Sequence, residues 1–323
     1  MFSDLSWREE GRLNIEVVAE GLQFPEGPIA MRDGSVLLVE MRRGTLSRIT
    51  GDGIIEVIAD LGGGPNGAAI GPDGAVYICN NGGSAWIEKP GGVFIPGGIP
   101  SDYQGGSIQH VDLATGAVKS LYTGCDGVAL RAPNDIVFDT DGGFWFTDFG
   151  KDDSQGRDFG ALYYAHADGS SIRRVAPNLL TPNGVGISPD GKWLHVAETL
   201  SSRLLMFEIS APGCIRVPAP GEPGSDFGFS FVQTQGPLPG YQMIDSLAVE
   251  ACGNICVATL VNGGISVYAT DGTITHVPME DSFVTNICFG GNDMADAFIT
   301  GAFSGRLFKA RWPRPGLVTA FGA

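Results

Sequence analysis

One short pattern occurs six times in this chain, and it leaves few folds open. The copies PEGPIAMRDG, PNGAAIGPDG, PNDIVFDTDG, PNGVGISPDG, IDSLAVEACG and TNICFGGNDM begin at Pro25, Pro65, Pro133, Pro182, Ile244 and Thr285, 40 to 68 residues apart. Each has a polar residue at its second position: Glu26, Asn66, Asn134, Asn183, Asp245 and Asn286. A turn follows seven residues later, at Asp33, Asp73, Asp141, Asp190, Cys252 and Asp293. The third copy shows the local logic best. Ile136, Val137 and Phe138 precede the turn, and Phe144, Trp145 and Phe146 follow it. β-Branched and aromatic runs on both sides of a Gly-containing turn predict an antiparallel hairpin. A hairpin recurring at such a spacing is the mark of a repeat architecture built from multi-stranded units.

Each interval has room for four strands. The first holds GPIAM, SVLLVE, TLSRIT and IIEVIA, and the fifth holds SLAVE, NICVAT, GISVYA and TITHVP. The sixth offers only NICFG, AFIT and RLFKA before the chain ends. The missing outer strand is available at the other terminus, as LNIEVVA at residues 13–19. Pairing the two ends closes a ring and removes an open sheet edge. The expectation is all-β: a six-bladed β-propeller of four-stranded antiparallel blades, with residues 1–323 as one domain.

In a propeller the first strand of each blade lines the central channel. The six polar residues should therefore stand at one mouth of the channel, at one depth. Glu26, Asn134, Asn183 and Asp245 form an all-oxygen donor set, which favours a hard divalent cation. Calcium takes about 6–8 oxygens, so water and a substrate oxygen could complete the shell. Magnesium or manganese could occupy the same ring, and zinc fits less well without nitrogen or sulfur donors. Facing each other across a narrow channel, Glu26 and Asp245 would repel unless a cation or a proton sat between them. Asn66 and Asn286 suit pocket lining and strand capping equally.

Composition narrows the partners. A formal net charge of −16 argues against nucleic acid or an anionic membrane surface. The N-terminal MFSDLSWREEGRL lacks a basic segment followed by an apolar run, so no secretory leader is expected. Cys79, Cys125, Cys214, Cys252, Cys256 and Cys288 lack metal or redox spacing, which predicts reduced thiols and a cytoplasmic location. His110, His166, His195 and His276 fall in second, third or fourth strands, away from the channel.

Strand direction sorts the loops. The insertion 80–105 leaves a second strand at the mouth and must return there. It is expected to have little strand content and to offer Trp86, Phe94, Ile95 and Tyr103 as an apolar lid, with Trp86 against the substrate. Segments 149–160 and 233–243 belong to the same mouth, while 211–226 is expected as a linker excursion on the opposite face. Asp148, at the end of a second strand, is a candidate for substrate binding or for a second base, weighed against a turn or strand-end role. Phe146 is expected in the core.

The hairpins PEGP, PNDIVFD…FTD, TPNGVGISPDGKWLHVAET and IDSLAVEACGNICVAT, with VTNICFGG, together resemble the senescence-marker-protein/gluconolactonase family, over residues 21–312. The resemblance implies a six-bladed propeller with one divalent metal in the channel, and Glu26, Asn134, Asn183 and Asp245 match its ligand positions. The FTD that follows the Asn134 hairpin looks more like the gluconolactonase and drug-responsive lactonase branch than the animal sugar lactonases. Sugar lactonases of the family carry an arginine two residues before the position of Asn134; here Ala132 stands there, which argues against a simple aldonolactone. The implied activity is metal-dependent opening of a lactone ring, with Asp245 as base and Glu26 as anionic ligand. A fluorophosphatase-type phosphotriesterase shares the same Glu/Asn/Asn/Asp pattern. Strictosidine-synthase-like propellers resemble the fourth copy but use a buried carboxylate in place of the metal cluster. A non-catalytic interaction propeller has no need of two channel carboxylates. The expected partner is a small lactone or ester, with the oligomeric state open.

Overall fold

The computed structural model describes residues 13–153, 155–217, 219, 221, 233–235, 238 and 242–322. The six repeats form six antiparallel sheets, five of four strands and one of five. Their innermost strands are Pro25–Ala30, Pro65–Ile70, Pro133–Phe138, Pro182–Ile187, Ile244–Val249 and Val284–Gly290. This is the six-bladed propeller that the repeats predict.

The first hairpin of each blade forms for the reasons read in the sequence. Aspartates at the turns accept backbone N–H groups two residues on, as Asp33 does from Ser35 at 3.0 Å and Asp190 from Lys192 at 3.1 Å. Such Asx turns pin the reversal. Beyond the turn, second strands such as Val36–Glu40 and Gly143–Asp148 are buried along their whole length, as strands sandwiched between neighbouring blades must be. Blades pack face to face through interleaved aromatics. Tyr77 of blade two meets Phe138 and Phe144 of blade three, at 5.0 and 5.8 Å between ring centroids. Phe146 has no exposed surface, in keeping with a core role.

Ring closure joins the chain ends. Ile15–Ala19 pairs with Arg306–Arg311 as the outer strand of blade six, with Ile15 opposite Ala310 and Val17 opposite Phe308. The chain then turns beneath blade five, where the buried Glu250 accepts from Trp312 Nε1 at 2.7 Å and from Arg314 Nη2 at 2.9 Å. It continues across the base, and Phe321 reaches Phe138 at 5.6 Å.

Two loop expectations change. The insertion 80–105 is not low in strand: Trp86–Lys89 and Val93–Pro96 form a hairpin of their own, apart from the blades, with Trp86 opposite Pro96. The paired glycines Gly91 and Gly92, both at positive φ, supply the tight reversal that made the stretch look irregular. The segment 211–226 does not begin as a free linker. Arg203–Ala211 and Cys214–Ile215 form a hairpin at the outer edge of blade four, and residues 222–226 lie outside the described residues. Most of 236–241 also lies outside them.

Candidate metal centre and active site

Every innermost strand carries a β-bulge against its neighbour at the start of the repeat. The register shifts between Glu26 and Ile29, Pro65 and Ala68, Pro133 and Ile136, Pro182 and Val185, Ile244 and Leu247, and Val284 and Asn286. A bulge re-aims side chains and is common beside active sites. Here it recurs in all six blades at the level of the polar residues, which are buried at 2–7% exposure.

The register corrects the sixth copy. Pro133 pairs with Asp148 ahead of its bulge as Val284 pairs with Gly301, so Thr285 occupies the level of Asn134. Asn286 stands one residue further along its strand, at the level of Asp135. The innermost strand of blade six is one residue longer before its turn, and counting back from Asp293 therefore slips the register by one. Thr285 turns its hydroxyl to Pro25 O at 3.0 Å, tying blade six to blade one. Asn286 Oδ1 accepts from Ile287 N at 2.8 Å, as Asp135 Oδ1 does from Ile136 N at 2.9 Å.

Glu26 and Asp245 do not face each other directly across the channel: they belong to blades one and five, with blade six between. Asn286 Nδ2 donates to Glu26 Oε2 at 3.3 Å in that interval. Burial and the neighbouring charge of Asp245 hold the Glu26 carboxyl well above the ordinary carboxylate range. Burial, with Asp135 nearby, pushes Asp245 up to about 8. Among the described residues neither acid has an ion pair.

The two amides of the expected donor set differ. Asn183 Nδ2 donates to Thr199 Oγ1 at 3.1 Å, and its Oδ1 accepts from Ser246 Oγ at 3.3 Å. Asn134 Oδ1 is buried without any hydrogen-bond partner, as is Asn66 Oδ1. Asn66 Nδ2 lies 3.6 Å from Met41 Sδ.

Asp135, one residue past the second position of its copy, also belongs to this centre. Burial pushes it up to about 7. Its Oδ2 accepts from Val185 N at 3.1 Å, so it latches blade three to blade four. The equivalent positions in three other blades are Gly27, Gly67 and Gly184, where the inner strands touch. A β-carbon at Gly67 would lie 2.5 Å from Asn134 O, and one at Gly184 2.7 Å from Leu247 N. The signal was present in the repeat alignment: a charged residue stands where neighbouring copies have glycine.

The remaining candidates sit around the mouth. Asp148 accepts from Arg131 N and Ala132 N, both at 2.7 Å, and from Gly150 N at 3.0 Å. Both its oxygens are thus engaged at the strand end. Arg131 is turned to Asp158, with Nε 2.6 Å from Oδ2. Trp86 is half-buried, its ring 5.1 Å from that of Phe24. Phe24 has φ of 58°, a left-handed conformation that is costly for a bulky residue. The strain sits two residues before Glu26.

Below the ring the channel widens into a cavity of about 520 Å³, reached by Gly27, Asp135 and Asn286 and walled mainly by apolar side chains. Leu317, Val318 and Phe321 of the C-terminal stretch line its far end.

Two buried carboxylates without an ion pair among the described residues, and an Asn134 oxygen at the same ring level without a donor, suit an oxygen-ligated cation; the Asn183 oxygen, which accepts from Ser246, would have to share its lone pairs. Among the described residues no group of three or more histidine, cysteine, aspartate or glutamate side chains could hold a metal. A metal here therefore relies on the amides.

Fold and site together define a six-bladed propeller with an acidic, amide-lined channel centre. The chain belongs to the SMP-30/gluconolactonase/LRE-like family, whose profile it matches over residues 24–303. It is 28% identical over 261 residues to a lactonase drp35 of Staphylococcus saprophyticus, covering 80% of this chain and 70% of that protein. The Staphylococcus aureus lactonase drp35 is 26% identical over 260 residues, with the same coverage. Among solved structures, a gluconolactonase of Xanthomonas campestris superposes with a TM-score of 0.71 at 20% identity, over 93% of this chain and 90% of the other. A calcium-binding regucalcin of Agrobacterium tumefaciens gives 0.71 at 17% identity, over 94% and 97%. These structures share the fold.

Proposed function

We propose that this protein opens lactone rings by hydrolysis at the channel centre, with a divalent cation held by Glu26, Asn134, Asn183 and Asp245. One observation carries the metal part: Glu26 and Asp245 are buried one blade apart with no ion pair among the described residues, near an Asn134 Oδ1 that has no donor. Hard oxygen donors favour calcium, with magnesium or manganese next. The lactonase part is supported by family membership and by the staphylococcal lactonases.

The cation, when bound, would stabilise negative charge on the carbonyl oxygen under attack. Asp245 accepts the proton of the attacking water. Burial raises its carboxyl, and a cation beside it would favour the ionised form that accepts a proton. The Asn183 side chain neighbours Asp245 and is itself held by Thr199 and Ser246, which fixes the amide beside the base. Asp135 keeps blades three and four in register beside Asp245. Asn66 offers a free amide oxygen toward a substrate hydroxyl, and Trp86 closes the apolar side of the mouth. All six cysteines are free, which fits a cytoplasmic setting.

The test is hydrolysis of a panel of γ- and δ-lactones followed by proton release. Turnover in the wild type that is lost in Asp245→Asn supports the proposal. A wild-type protein that opens no lactone on the panel contradicts it.

A further inference from the structure

Lys151 is a buried cation that the proposed reaction does not use. It is only 8% exposed, and its Nζ donates to Gly83 O at 2.6 Å while lying 5.2 Å from the centre of the Tyr103 ring. That is one hydrogen bond for an ammonium with three donors. Among the described residues Lys151 forms no ion pair, and the acids around it are committed elsewhere. Asp148 is held by three backbone N–H groups, Asp158 by Arg131, and Asp152 by Arg157. Burial pushes the ammonium down to about 8, against the opposing pull of Asp148. In a chain with 36 acidic and 20 basic residues, leaving a buried lysine unpaired is not a shortage of carboxylates.

Its position explains the arrangement. The second strand of blade three ends at Asp148, opposite Pro133, so Lys151 lies three residues beyond the level of Pro133, on the mouth side of Asn134. Gly83 lies three residues beyond Asn80, which is opposite Pro65, at the same level in blade two. The ammonium thus bridges the mouth loops of the two blades whose ring asparagines, Asn66 and Asn134, have buried side-chain oxygens with no partner. Tyr103, from the blade-two insertion, covers it. A hydroxyl or carbonyl would use one more donor, but only an anion offsets the lost hydration of a buried charge.

We infer that Lys151 binds a carboxylate on the substrate, so that the preferred lactones carry an acid group on or beside the ring. The inference rests on the lactonase proposal for the reaction and on the geometry above for the anion. Lys151 acts on specificity and takes no part in ring opening.

The experiment compares a γ-lactone bearing a ring carboxylate with the same lactone bearing a primary carboxamide, using full-length protein with calcium present. Wild type should favour the acid by roughly 10- to 100-fold in kcat/KM, the range for a charged hydrogen bond. In Lys151→Met that ratio should fall to near one, mainly through KM for the acid, and Lys151→Arg should restore part of it. In parallel, tetrahydrofuran-2-carboxylate, which has no ester to hydrolyse, is titrated calorimetrically into wild type and both variants. Binding that needs the charge at 151, without turnover of either lactone, upholds the anion site and removes the lactonase proposal. A wild type indifferent to the carboxylate overturns the inference. So does Lys151→Met lowering both lactones together with the ratio kept, which would leave Lys151 as a tie to the insertion.

Discussion

Glu26 and Asp245 stand one blade apart in the channel, and Asn286 from the intervening blade donates to Glu26 at 3.3 Å. Each raises the cost of ionising the other, and neither has an ion pair among the described residues. Neutral donors such as Asn286 Nδ2 and Gly27 N do not offset two buried carboxylates in low dielectric. The pair is therefore arranged for a positive charge.

Glu26→Gln removes half of the formal negative charge of the four proposed ligands. Cation affinity should fall by more than about 100-fold, beyond the range usual for residues that merely orient ligands. Activity should fall with it and return only at high metal concentration. Calorimetric titration with calcium, beside a rate titration, checks both.

Asp245→Asn keeps an oxygen ligand and removes the base. Cation affinity should fall as it does in Glu26→Gln, but turnover should stay roughly 10²–10⁴-fold down even at saturating metal, where Glu26→Gln recovers. Recovery of turnover at saturating metal would make Asp245 a ligand alone.

Trp86→Ala tests the mouth. The indole packs on Phe24 at 5.1 Å, and Phe24 leads by two residues to Glu26. Relative kcat/KM across lactones from hydrophilic sugar rings to alkyl and aryl rings should shift by about 10-fold or more against the apolar ones. Metal affinity should hold. A uniform change across the panel would place selectivity in the channel itself.

His195 gives a prediction on stability. It is 5% exposed, its Nδ1 has no hydrogen-bond partner, and burial pushes the imidazole down to about 4. The unfolded chain binds the proton near pH 6.5, so protonation favours unfolding. The contribution is complete above about 6.5 and is lost as pH falls toward 4, amounting to roughly 3 kcal/mol. Denaturant unfolding of wild type and His195→Leu from pH 7.5 to 4.5 should show the gap between them changing in the variant's favour as pH falls.

The blades were legible because a hairpin repeated six times has one economical closure, and the strand at 13–19 supplied it. The ring level was legible where proline or isoleucine opens the strand one residue before the polar side chain. It failed at Asn286, since blade six carries one more residue before its turn and the register is set by pairing with 296–301. Asp135 was legible as the charged residue where neighbouring copies carry Gly27, Gly67 and Gly184; what those glycines mean, the close approach of inner strands, shows only once the blades are assembled. The hairpin inside 80–105 was masked by its glycines, which make the reversal rather than prevent pairing. Lys151 could not be singled out at all, because its burial depends on Tyr103 and Gly83 from another blade.

The central proposal, a lactonase that depends on a divalent cation at Glu26, Asn134, Asn183 and Asp245, is tested most directly by metal stripping. The protein is freed of metal with a chelator, its metal content is measured by elemental analysis, and lactone hydrolysis is followed before and after adding calcium, magnesium, manganese or zinc. Activity should vanish with the metal and return in proportion to about one bound cation per chain, best with calcium. Undiminished hydrolysis by protein shown to contain no metal would contradict it.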